Sequence, residues 1–177
     1  MHALKRTRPE GCEEVFIMNN SIAVPFSLES SAFKNRADIP EQYTGHGKDI
    51  SPPLKWNAVP PHTQEFALIC EDPDAPNNPP YIHWVVYHIP AQQTGFDENA
   101  SKTQKKNVMQ GKNSRGEEGY TGPNPPEDSG VHRYYFRLFA LDAPLQLGVG
   151  ATVSELMEAM RDHVLGEAEV MGRHEFH

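Results

Sequence analysis

The sequence predicts a mostly β fold, built from antiparallel sheets with one or two short helices. Three observations carry this. Short apolar runs rich in β-branched and aromatic residues recur between breakers, the pattern of strands and not of helices. Breakers are abundant, with 16 prolines and 13 glycines among 177 residues. Only one stretch has a helical period, so strands follow one another without the alternating helices of a βαβ chain, and such strands close antiparallel sheets.

The elements follow in order. Residues 1–17 lack an apolar period and read as a weakly ordered extension, leaving 18–177 as one domain. Met1 to Val15 contains no apolar core of the kind a secretory signal needs. Residues 22–28 alternate apolar and small or polar side chains and read as an edge strand, where Pro25 is tolerated. Residues 30–61 read as loop. Two compact apolar runs, 65–71 and 81–89, read as strands, and Cys70 within the first reads as a small buried hydrophobe. Residues 91–130 are polar, rich in Gly and Pro and without period; so long an irregular stretch is usually functional. Residues 132–142 form the strongest strand signal. A helix is expected over 153–165, with Thr152 and Glu155 as a capping box, Val153, Leu156, Met157, Met160 and Val164 on one face, and Gly166 as its stop. A last strand is expected over about 168–174.

Charge and composition narrow the function. The formal net charge is −8, and the compact basic clusters 5–8 and 102–106 carry no interleaved aromatics, which excludes recognition of a nucleic-acid backbone. No apolar run reaches the roughly 18–20 residues of a membrane helix. The two cysteines show neither metal nor disulfide spacing, a composition of a reducing compartment such as the cytoplasm.

Chemistry concentrates in a few places. Asp72-Pro73-Asp74-Ala75-Pro76 follows an apolar strand, but its spacing fails a calcium loop, whose sixth position needs Gly and whose twelfth needs Glu; here these are Asn77 and His83. His132 and Tyr134 stand at i and i+2 and share one strand face, continued by Phe136 and Leu138. His83 opens its own strand. If these strands are neighbours, Asp72, His83, His132 and Tyr134 meet at one mouth. Such a cluster suits an anion pocket, with backbone donors from the loop Gly119 to Pro126. It equally suits plain core and turn residues, or metal binding or acid–base catalysis, although neither HExxH nor GxSxG is present.

The motifs Asp72-Pro73-Asp74-Ala75-Pro76, His83-Trp84-Val85-Val86, Gly119-Tyr120-Thr121-Gly122-Pro123-Asn124-Pro125-Pro126 and His132-Arg133-Tyr134, in this order, resemble the phosphatidylethanolamine-binding protein family, also called Raf kinase inhibitor protein-like. Asp49 to Trp56 is similar to its prokaryotic branch. The resemblance implies a β-sandwich with a small pocket at one end. It places Asp72, His83, His132 and Tyr134 in that pocket with Asp74, Pro76, Gly122 and Pro125 around it, and Asn124 stands where prokaryotic members often carry cysteine. It implies a phosphate-type or other small anionic ligand, no cofactor, no metal and no catalytic residue, and a regulatory, kinase-inhibitor-like role in which binding stands ahead of turnover. The alternatives are inhibition of a serine protease through surface loops and a hydrolase using the His–Asp cluster. A homodimer is expected by the same resemblance. Protonated His83 and His132 are expected to donate to the anion, with affinity falling as pH rises, and Asp74 to cap its own turn.

Overall fold

The computed structural model describes residues 24–76, 78–103 and 107–176. The proposed extension 1–17 lies outside the described residues. Eight strands form two antiparallel sheets. The small sheet joins β1 (Ser27–Glu29), β2 (Leu54–Asn57) and β5 (Gly95–Phe96) in the order β1-β2-β5. The large sheet has the order β6-β4-β3-β7-β8, from β3 (Glu65–Asp72), β4 (Tyr81–Pro90), β6 (Met109–Gln110), β7 (His132–Leu141) and β8 (Val164–His174). Two short helices, α1 (Ala100–Thr103) and α2 (Val153–Met160), and a 3₁₀ turn at Glu41–Tyr43 complete the elements of the described residues.

The large sheet is covered on both faces, which is why β3 and β4 are apolar almost throughout rather than alternating. Phe66, Leu68, Trp84, Val86, Phe136 and Leu138 pack toward the small sheet with Trp56, Leu54 and Leu28. Ala67, Ile69, Val85, Tyr87, Phe139 and Leu141 pack toward α2 through Leu156 and Met160. The alternation read along β7 holds: Tyr134, Phe136 and Leu138 are all buried on one face.

β4 carries two extra residues. Its ten residues pair with the eight of β3, Glu65 opposite Pro90 and Asp72 opposite Tyr81. The register breaks between Phe66 and Leu68, where Tyr87 and His88 oppose Ala67, and between Cys70 and Glu71, where His83 has no counterpart. Both are β-bulges, devices that re-aim a side chain beside a site. His88 accordingly has φ of 55°.

Several boundaries differ from the expected ones. A strand is expected over 22–28, of which 22 and 23 lie outside the described residues; among the described residues it spans Ser27–Glu29, because its pairing is with Asn57, Trp56 and Lys55 of β2. β2 itself lies inside the expected loop 30–61: Leu54 and Trp56 point inward and Lys55 and Asn57 outward, four residues hidden behind Pro52-Pro53. The stretch 91–130 likewise holds β5, α1 and β6. The capping box forms as expected, Glu155 N–H donating to Thr152 Oγ1 (3.2 Å) and Thr152 N–H to Glu155 Oε2 (2.7 Å). The helix nevertheless stops at Met160, not 165, because Asp142 N–H donates to the His163 carbonyl (2.9 Å) and draws the chain into β8 beside β7. Tertiary pairing thus overrides helical period. Met157 and Val164 are exposed rather than on the buried face, and Gly166 sits within β8 as no helix stop.

Candidate functional site

The C-terminal end of β3, the N-terminal end of β4 and the start of β7 meet at one end of the large sheet. They bring Asp72, His83, His132 and Tyr134 around a cavity of about 250 Å³. All four are nearly fully buried. Ala75, Pro76, Tyr81, Thr121, Gly122, Asn124, Pro125 and Pro126 also line the cavity, with the exposed Arg115 at its mouth.

Asp72 holds two neighbours at once. Its Oδ1 accepts from Asp74 N–H (2.8 Å), an Asx turn that fixes Pro73-Asp74, and its Oδ2 lies 2.7 Å from His132 Nδ1. A carboxylate only accepts, so His132 carries a proton on Nδ1, and its Nε2 has no partner among the described residues. Asp72 therefore caps the turn that Asp74 was expected to cap. Asp74 turns outward and does not line the cavity; it accepts from Arg133 Nε and Nη2 at 2.8 Å each and from the Arg133 N–H at 2.9 Å, which holds its carboxyl below the usual range. The shared motif thus separates into one acid for the cavity and one for the surface.

His83 Nδ1 lies 2.7 Å from the Thr121 carbonyl oxygen. That carbonyl accepts only, so the ring proton sits on Nδ1 and Nε2 keeps its lone pair, without a partner among the described residues. Burial pushes the His83 pKa down to about 4, the Thr121 carbonyl and Asp72 offsetting this only in part and Arg115 adding to it. His83 is thus neutral at pH 7, which overturns the expectation that it donates as an imidazolium. Its ring stands edge-on to Tyr134 at 5.1 Å. Burial and the neighbouring Asp72 push the Tyr134 phenol up, so it stays protonated as a donor.

The rim loop supplies fewer backbone donors than expected. Thr121 N–H donates to the His83 carbonyl (2.9 Å), Gly122 N–H to Asp49 Oδ1 (2.6 Å) and Tyr120 N–H to Ser101 Oγ (2.7 Å). Prolines 123, 125 and 126 have no N–H. Gly122 is needed for a steric reason: a Cβ there would meet Tyr43 O at 2.6 Å and Thr44 C at 2.7 Å. Unspent donors come instead from side chains. Tyr134 Oη and Thr121 Oγ1 are buried without a hydrogen-bond partner among the described residues.

Arg115, absent from the sequence reading, is exposed at the mouth and forms no ion pair with any described residue. It is aimed by a tightly tied turn. Asn113 Oδ1 accepts from Arg115 N–H (2.9 Å), Asn113 Nδ2 donates to Gly119 O (3.1 Å), and Ser114 exchanges bonds with Ile82 of β4. The local sequence Asn113-Ser114-Arg115-Gly116 reads only as a surface turn, so nothing short of the fold reveals its place. Among the described residues no cluster of His, Cys, Asp and Glu could hold a metal ion.

The family model described as phosphatidylethanolamine-binding protein matches residues 29–175. The UPF0098 protein of Methanothermobacter thermautotrophicus is 48% identical over 148 residues, covering 82% of this chain and 96% of that protein. Among solved structures, the phosphatidylethanolamine-binding protein homolog CT736 of Chlamydia trachomatis superposes with a TM-score of 0.79 at 38% identity, covering 86% of this chain and 98% of its own. E. coli YbcL, a member of the mammalian PEBP family, gives a TM-score of 0.81 at 26% identity, covering 86% and 99%. No helix among the described residues is long and apolar enough to cross a membrane.

Proposed function

The chain belongs to the phosphatidylethanolamine-binding protein family, and on that premise we propose that it is a binding module for a small phosphate-type anion, acting as a regulatory protein through the state of its cavity. The observation that supports this best is the pair of buried hydroxyls beside the cavity, Tyr134 Oη and Thr121 Oγ1, which have no partner among the described residues. An unpartnered buried polar group costs roughly 1–3 kcal/mol, and a ligand oxygen that accepts from it recovers that cost. Arg115 adds the attraction that an anion needs to enter past Asp72, whose own charge is engaged by His132. Asp72 orients His132 rather than touching the ligand. His132 offers a ring nitrogen, and Pro76, Gly122 and Pro125 shape the walls. Among the described residues no Ser or Thr hydroxyl and no Cys thiol is hydrogen-bonded to either histidine, whose rings bond instead to the Thr121 carbonyl and to Asp72, which favours binding over hydrolysis.

Calorimetric titration of inorganic phosphate into the full chain tests this reading. One site per chain is expected, weakened about tenfold in Arg115→Gln by loss of the charge-assisted contact. Absence of saturable heat in the unaltered protein, or an unchanged affinity in Arg115→Gln, overturns it.

A further inference from the structure

Resting on the anion reading above, we propose that the cavity selects an oxyanion that still bears a proton, inorganic phosphate or a phosphomonoester with its P–OH, over sulfate esters and phosphodiesters, because His83 meets the ligand with a lone pair. The geometry is specific. His83 Nδ1–H is spent on the Thr121 carbonyl at 2.7 Å, and its ring lines the cavity with Nε2 unpartnered among the described residues. Groups facing the ring are the carboxylates of Asp72 and Asp49, the guanidinium of Arg115, and the rings of Tyr81 and Tyr134. Burial outweighs both carboxylates and keeps the ring neutral, so Nε2 remains an acceptor.

The hydroxyls of Tyr134 and Thr121 can donate to any oxyanion, so they do not discriminate. Nε2 does. A phosphomonoester monoanion donates its O–H to that nitrogen and accepts from the two hydroxyls. A sulfate ester or a phosphodiester sets oxygen lone pairs against the nitrogen lone pair. A site built to pair with one hydroxyl rejects the analogue that lacks it, because its own buried polar group is left unpaired.

Three probes of equal charge isolate this effect. At about pH 5.5, below the second ionisation of a phosphomonoester near 6, methyl phosphate, methyl sulfate and dimethyl phosphate each carry one negative charge, and only the first keeps an O–H. Calorimetric titration of the full chain is expected to show methyl phosphate binding about tenfold or more tightly than either of the others. Equal affinities overturn the selectivity and leave the anion pocket standing. No binding of any probe overturns both. Tighter binding of dimethyl phosphate identifies a phosphodiester site, as in a lipid headgroup, and also overturns the proposal. In His83→Phe, which keeps a ring but no lone pair, the preference is expected to fall several-fold, the His132 ring nitrogen across the cavity remaining in place; an unchanged preference there overturns the role of His83. Should that variant not fold, nitrogen-15 shifts of the His83 imidazole in the unaltered protein decide. A neutral ring protonated on Nδ1 is expected at this pH, and an Nε2–H tautomer or an imidazolium overturns the proposal.

Discussion

The two ends of the large sheet carry the same chemistry and put it to opposite uses. At the cavity end, Asp72 of β3 pairs with His132 of β7 at 2.7 Å. At the far end, Glu65 of β3 pairs with His88 of β4 at 3.2 Å. Each is a mostly buried histidine–carboxylate pair, and each end has one histidine on a bulge of β4. The difference lies in what is left over. At the far end, Glu65 Oε1 accepts from Leu145 N–H (2.8 Å), His88 Nε2 meets the Leu147 carbonyl (3.1 Å), and Tyr87 Oη donates to the Gly148 carbonyl (2.5 Å) while accepting from Ala151 N–H (3.2 Å). Each of these groups ties down the segment 145–151. At the cavity end, two ring nitrogens and two hydroxyls have no protein partner among the described residues. A histidine beside a carboxylate is therefore not a site in itself; unspent hydrogen-bonding capacity beside a cavity is what marks one.

Breaking the far pair is expected to give the largest effect on stability. Glu65→Ala strands Leu145 N–H and His88 and should cost about 3–5 kcal/mol in denaturant unfolding, with phosphate affinity unchanged. A parallel loss of affinity would show that the two ends are coupled.

The pH dependence of stability comes next and belongs to the cavity end. The His83 pKa is about 4 in the folded chain, against about 6.5 when unfolded. As pH falls, the unfolded chain takes up this proton first, so stability is full above about 6.5 and falls until about 4, by about 3 kcal/mol in all. His83→Phe should be less stable at pH 7 and should lose this component of the slope. A slope identical in the two proteins would assign the acid sensitivity to other groups.

Tyr134→Phe sharpens the contrast from the other side. It removes an unpartnered hydroxyl, so stability should hold or rise by up to about 1 kcal/mol while phosphate affinity falls several-fold. A stability loss would mean that the hydroxyl already has a structural role. The smallest effect is expected at Asp74→Ala. Its exposed ion pair with Arg133 is well formed but screened, so thermal unfolding and phosphate binding should both stay near those of the unaltered chain.

Much of the fold and of the cavity end was legible in the sequence, whereas the Glu65–His88 pair at the far end was not, and the limits have physical causes. Alternation along His132, Tyr134, Phe136 and Leu138 reveals a strand face because the side-chain period is two, and that face is the one that packs. Thr152 and Glu155 reveal the helix start because capping is local. The helix end was not legible, since it depends on Asp142, distant in sequence. Nor was β2, whose four residues are held by pairing with β1 and β5 and not by their own pattern. At the site, residue types indicated which side chains gather, but hydrogen-bond accounting needs the fold. Only there does Gly122 N–H prove spent on Asp49, His83 prove an acceptor, and Arg115 prove to stand at the mouth.

The bulges have a consequence for how this chain can change. With His83 and His88 left out of the count, β4 matches β3 residue for residue, and its faces alternate without a break: Ile82, Val85 and Tyr87 on one side, Trp84, Val86 and Ile89 on the other. Both histidines are supernumerary to the sheet's packing pattern. Substitution at either position leaves the inward–outward order of its neighbours intact, so ligand chemistry at one end and loop anchoring at the other can diverge among descendants of this chain without redesign of either core.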